Sequence, residues 1–317
     1  MPVSSAANRA ANPAANLAVR PAVSLAAMPG RRKATLELAT RIEELGFSGI
    51  WCPSIGDSLA LCQGIADATR EIAFGTSIQP IYTRRPADFA STTAFLHEIS
   101  GGRFHFGIGV SHVPMLSRMG IEPGRPLGDI RAFVEAWRTT ERVGELPPLI
   151  LATLRTKMIG LAAELGDGMV FANAARSHMR QSLQALPEAQ RSDAAFFVGN
   201  MIPTCISDDR AAAMAVNRRT LTGYAMLPNY RNYWKDAGYV EEMEAVEAAL
   251  AAKQPERVAE CLSDRWLADT TLFGSASEVR EGVEAWFDAG VRTPILVPSS
   301  AAGNQFKALE ELFAAFR

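Results

Sequence analysis

The chain is poor in the residues that build metal, disulfide and phosphate-loop chemistry. Only four histidines and four cysteines occur in 317 residues, with no HExxH and no CxxC spacing. A metal centre therefore has no ligand set to grow from. Cys52, Cys62, Cys205 and Cys261 are scattered, which suits buried thiols in a reducing, cytoplasmic setting better than a disulfide framework. There is no Walker A loop and no GxSxG. The segment GIGVSH lacks the third glycine of a dinucleotide fingerprint and carries its glycines on a strand instead of a strand-to-helix turn. Net charge is −2 without a basic run, so neither nucleic acid nor an anionic membrane surface is indicated, and a small-molecule substrate is the better expectation. No apolar stretch approaches the roughly 18 residues of a membrane span. Residues 1–36 hold no Asp or Glu, yet they contain no compact apolar core of a signal sequence. Residues 1–21 read as a flexible tail ahead of one domain spanning 22–317.

What is present is a repeated alternation of short apolar runs and helical periodicity. AVSLA (22–26) is a strand stopped by Met28, Pro29 and Gly30. Leu36, Leu38, Ala39, Ile42 and Leu45 then recur at helical spacing up to Gly46. Gly49–Trp51 starts the next strand, Leu59–Ala68 the next helix, Ile72–Ile78 a third strand, and Pro86 opens a helix to Ile99. Helices at 129–139, 156–165 and 177–186 alternate with strands at 149–152, 169–171 and 196–205. SASEVREGVEAWFDAG brings a capping box, Ser275 with Glu278, before a last strand at 293–297. This order predicts a parallel sheet, and eight such units close a (β/α)8 TIM barrel. About seventy residues separate the seventh strand from the last unit, more than a βα connection needs, so an insertion is expected there. It holds Tyr224, Tyr230, Tyr233, Trp234 and Tyr239, while Tyr82 is the remaining tyrosine. Such a run forms an aromatic wall over an apolar substrate, a subunit interface, or the core of a helical hairpin.

The most informative stretch is FLHEISGGRFHFGIGVSHVP, Phe95 to Pro114. Phe104, Phe106, Ile108 and Val110 alternate with His105, Gly107 and Gly109, and the glycines leave one strand face nearly bare, where a flat group can lie. At the strand's C-terminal end, where an α/β barrel places its chemistry, follows a long loop carrying His112.

HEISGGRFHFGIGVS, with TSIQPIYTRRP before it, resembles the luciferase-like flavin and deazaflavin oxidoreductases, from about Ala22 to the C-terminus. The resemblance implies a (β/α)8 barrel in which a bound organic cofactor carries the electrons and the protein supplies a shaped, water-excluding pocket. It places Ser77 and Ile78 at a non-prolyl cis peptide backing the central ring of the cofactor. It sets Gly109, Val110 and Ser111 where backbone and a small side chain approach that ring. The phosphate end is expected after strand five, at Ala152, Leu154, Arg155 and Thr156, where a helix start offers N–H groups to an anion. Arg155 departs from the family's usual glycine, and either strengthens that site or fills it. His112 matches the position of a proton-handling glutamate in a related sugar-phosphate dehydrogenase. Histidine, titrating near ~6.5, can exchange a proton at neutral pH.

Val110 stands where bacterial luciferase has an arginine that helps hold flavin phosphate, so the short GxGxS form points to the deazaflavin branch and coenzyme F420 instead of FMN. Other departures are Pro53 and Ser54 in place of polar cofactor contacts, Arg85 for a histidine and His97 for an aspartate. Thr83 to Pro86 reads as a helix start with a buried charge network. The reading is a homodimeric oxidoreductase moving hydride between F420 and a small organic molecule. The alternatives are an FMN-dependent monooxygenase using oxygen, or a flavin-binding barrel without turnover.

Overall fold

The structure, a computed structural model, describes residues 20–122 and 124–317. The expected N-terminal tail lies almost wholly outside the described residues. Short strands buried on both faces are what a parallel sheet covered by helices requires. They are β1 (Ala22–Ser24), β2 (Ile50–Cys52), β3 (Phe74–Thr76), β4 (Gln79–Pro80), β5 (Phe104–Gly109), β6 (Leu149–Ala152), β7 (Gly168–Ala172), β8 (Phe197–Ile206), β9 (Leu272–Gly274) and β10 (Thr293–Ser299). All pairings are parallel, and the path β10-β1-β2-β3-β5-β6-β7-β8 returns to β10. The ring is the closed eight-stranded barrel that the alternation predicts. β4 continues β3 past the Ser77–Ile78 link and pairs with β5.

The helices follow the sequence signals closely. Pro86–Ile99 begins on its proline and ends at Ser100, Thr156–Leu165 follows β6, and the Ser275–Glu278 capping box is formed. Gly46 and Gly290 take positive φ values at helix ends. Two packing layers result. Between strands and helices lies the main core, with Trp137, Trp286, Phe74, Phe89, Phe104 and Phe106 almost fully buried. Inside the ring, a smaller cluster of Ala22, Trp51, Ile150, Val170 and Ile295 is joined by Ile78, Phe197 and Met201. The Trp51 and Phe197 rings meet at 4.5 Å.

Four differences from the sequence reading have physical causes. The third strand stops at Thr76, where the Thr76 hydroxyl takes both main-chain groups of Gly107 in place of ladder bonds, and the chain resumes as β4 after the cis Ser77–Ile78 bond. The loop after β5 contains a short helix, Val113–Arg118, started by Pro114. β9 is an added strand, drawn onto β8 by the Thr204, Cys205 and Ile206 register where β7 has already ended. The bare face of β5 is also only partly open. A Cβ on Gly107 would lie 1.9 Å from the Thr76 carbonyl oxygen, and the Thr76 hydroxyl bonds both main-chain groups of Gly107. Gly107 therefore serves close strand approach, and Gly109 is covered in turn by the Ile78 and Ala152 side chains, which a Cβ there would meet at 2.9 and 3.0 Å.

The insertion between β8 and the capping-box helix consists of helices Arg210–Ala225, Pro228–Asp236, Val240–Ala251 and Asp264–Thr270, with a 3-10 turn at Pro255–Cys261. Its core is the aromatic run: Tyr230, Tyr233, Trp234, Tyr239 and Trp266 are all buried. Trp234 and Trp266 meet edge to face at 4.8 Å, a pair that contributes about 1 kcal/mol beyond its buried area. The insertion is clamped to the barrel by Trp234 Nε1 donating to the Asn173 carbonyl (3.1 Å), the Ala175 N–H donating to Tyr233 (3.1 Å), and Asp269 accepting from Ser177 and Tyr239.

Candidate functional site at the strand C-termini

The residues expected to touch the cofactor, and His112, lie at or just beyond the C-terminal ends of β3, β5 and β6. At the end of β3, the Ser77 N–H donates to the Cys52 carbonyl (2.7 Å), and the side chain is buried with no partner for its Oγ among the described residues. Ile78 is half-buried beside Gly109. After Gly109, Val110 and Ser111 are half-buried and Ser111 turns to φ 61°, which directs the chain into His112.

Beyond β6, Ala152 and Leu154 are half-buried and Thr153 is buried with an unpartnered hydroxyl. The helix Thr156–Leu165 has no side-chain cap, so its first N–H groups remain open to an anion. Arg155 neither caps this helix nor fills the space ahead of it with a buried side chain. It is exposed and its Nε bonds Asp236 of the insertion at 2.8 Å. Thr156 is exposed at the helix start.

His112 is where barrel and insertion meet. Its ring lies 6.1 Å from Tyr224 in an edge arrangement and 5.7 Å from Tyr230, and no hydrogen bond from it to the described residues is formed. Burial pulls its pKa below the usual imidazole range, and no charged group counters this, so the ring is neutral at pH 7. Burial likewise raises both phenols, while the Asn173 amide beside them draws each part of the way back. The aromatic run is thus mainly a hairpin core, with Tyr224 and Tyr230 also walling the mouth.

Asn173 was not singled out from the sequence. It follows β7 at φ 56°, a conformation asparagine tolerates better than most residues, and its N–H donates to Met201 (3.0 Å). The side chain is 4 % exposed and its Nδ2 lacks a partner. One signal was available: in GMVFANAA, it is the single side chain with hydrogen-bonding groups at the strand end. Elsewhere, Thr83 to Pro86 is not a buried charge network. Arg84 and Arg85 are exposed, and Arg84 reaches Asp57 at 3.2 Å across the surface, because the helix start there faces solvent. A groove of about 640 Å³ lies by Leu183, Phe287 and Arg292, near the start of β8 and β10. The Arg292 guanidinium there is already taken by the carbonyls of Arg191, Asp193 and Phe196, and none of the open polar groups of the mouth line it.

An eight-stranded α/β barrel with open polar groups gathered at its C-terminal mouth is the architecture of an enzyme that works on bound small molecules. The chain belongs to the luciferase-like monooxygenase family, whose sequence profile matches residues 16–293. It is 25 % identical over 317 residues to the 5,10-methylenetetrahydromethanopterin reductase of Archaeoglobus fulgidus, covering 89 % of this chain and 95 % of that one. The coenzyme F420-dependent tetrahydromethanopterin reductase of Methanopyrus kandleri shares the fold with a TM-score of 0.74 at 17 % identity, over 93 % of this chain and 97 % of that one. An F420-dependent secondary alcohol dehydrogenase, solved with an F420-acetone adduct, shares it at 0.71 and 17 % identity, over 94 % and 100 %.

Proposed function

We propose that the protein is an oxidoreductase that binds coenzyme F420 across the C-terminal ends of its strands and exchanges hydride between it and a small organic substrate. The observation that carries this reading is the pair of buried hydroxyls at the mouth with no partner among the described residues: Ser77 Oγ and Thr153 Oγ1. Leaving such an atom unpaired costs about 1–3 kcal/mol, a cost that a polar ligand removes on binding. An uncapped helix start beside Thr153 adds N–H donors suited to the phosphate of such a cofactor. These groups fit a flat, polar-edged ring with an anionic tail.

In this reading Ser77, Ile78, Gly109, Val110 and Ser111 hold the ring, and Ala152, Leu154, Arg155 and Thr156 hold the anionic end. The deazaflavin supplies a two-electron hydride exchange that reacts poorly with oxygen. His112, neutral and shielded, takes up or returns the proton that accompanies it, at an imidazole nitrogen free of other partners. Tyr224, Tyr230 and Trp234 keep water out of that side.

A reduced-FMN monooxygenase is the second reading, supported by the profile that the chain matches. Titrating the protein with F420, FMN and FAD under fluorescence, followed by enone and quinone panels, separates the two. Selective F420 binding with substrate reduction is the expected result. Tight FMN binding with oxygen uptake overturns the cofactor choice, and binding of neither removes both readings. We propose a homodimer in the cytoplasm. Exposed Phe95 and Ile99, four apart on one helix, give a second copy an apolar face.

A further inference from the structure

The mouth holds a second set of open groups, away from the uncapped helix. Asn173, at the end of β7, is locked by its backbone: its N–H is bound to Met201 and its carbonyl to Trp234. Its side-chain amide points among the phenols of Tyr224 and Tyr230, whose rings pack at 5.0 Å, with the His112 ring against both. Asn173 Nδ2 has no partner at hydrogen-bonding geometry among the described residues, although the amide lies near enough to both phenol oxygens to act on them. One amide and two phenol hydroxyls thus converge from the end of a barrel strand and from two insertion helices.

We infer that Asn173, Tyr224 and Tyr230 form the subsite for the substrate's oxygen, and that the substrate is a neutral carbonyl compound on an apolar body. The argument rests on the proposed oxidoreductase reading for its purpose but not for its geometry. A carbonyl oxygen accepts from the amide and from a phenol, satisfying donors that are otherwise costly to bury. A carboxylate or phosphate meets no compensating cation there, since burial alone acts on His112 and the walls are aromatic. The entrance agrees, because Val113, Met115 and Met119, directly after His112, present exposed apolar side chains.

The test uses the full chain and ligand-observed NMR, with cyclohexenone as the neutral probe and cyclohexanecarboxylate as the charged one. Wild type is expected to bind the ketone and not the carboxylate. Asn173→Gly keeps the positive φ accessible while deleting the amide, and Tyr224→Phe deletes one hydroxyl. Each is expected to weaken the ketone about tenfold. F420 fluorescence titration of the same variants is expected to match wild type. Unchanged ketone binding in both variants, carboxylate binding equal to the ketone's, or no ketone binding by wild type overturns the inference. A parallel loss of F420 affinity also overturns it, by assigning these groups to the cofactor. Ketone binding by a wild type that takes no F420 leaves the subsite standing and removes the cofactor reading instead.

Discussion

The two ends of the barrel treat their polar groups in opposite ways. At the N-terminal end, Arg103 ahead of β5 donates to Ser100, Thr69, Ile72 and Ala66, tying a helix end to the strand that follows. Glu43 accepts the N–H groups of Arg70, Glu71 and Ile72. Burial alone would raise that carboxyl, but these bonds carry it net below its ordinary range. At the C-terminal mouth, Ser77, Thr153 and Asn173 bury polar atoms with no partner among the described residues. Seven further buried atoms lack a partner among the described residues, among them Trp51 Nε1, His97 Nδ1 and Asn200 Nδ2. One end spends its hydrogen bonds on holding the ring, and the other keeps them for a guest.

This contrast makes graded predictions. Arg103→Ala, at the paired end, is expected to lower stability by about 3 kcal/mol, since several buried carbonyls lose their donor together. Urea unfolding followed by circular dichroism measures it, and a loss below 1 kcal/mol would break the contrast. His112→Ala, at the open end, is expected to cut turnover about a hundredfold while leaving F420 affinity and urea midpoint near wild type. Thr153→Val is expected to keep or slightly raise stability, by up to about 1 kcal/mol, because it removes an unpaid hydroxyl, and to weaken F420 several-fold. A clear destabilisation would mean that this hydroxyl has a partner after all.

The smallest effect is one of pH. Burial lowers the pKa of His105, His112 and His178, so the unfolded chain binds more protons than the fold below its ordinary histidine pKa of about 6.5. Stability is complete above that value. It declines as pH falls through the window down to the depressed values of the folded state. Thermal melts at pH 7.5 and 5.5 are expected to show the lower midpoint in acid, and the His112→Ala variant to lose part of that difference.

Much of the ring was legible because burial writes periodicity into sequence: Leu149–Ala152, Thr156–Leu165 and Pro86–Ile99 match their expected bounds. The cis link at Ser77–Ile78 came through resemblance, since no local pattern announces it. β9 stayed hidden because three residues gain strand form only from the free upper edge of β8. Asn173 was missed for a similar reason. What sets it apart is the arrival of Tyr224 and Tyr230 from a distant segment, and a chain read in order does not display such meetings. Arg155 shows the same limit: sequence offers it as strengthening or filling the anion end, and its pairing with Asp236 of the insertion is a contact that no local pattern displays.

The ten-residue β8 offers one edge to β7 and then β9, and the other to β10. The stretch hung between β9's partner and the final unit can therefore be rebuilt without disturbing the seam that shuts the cylinder. Grafting segment 207–271 between relatives is then a rational way to exchange what they recognise while the redox chassis stays intact.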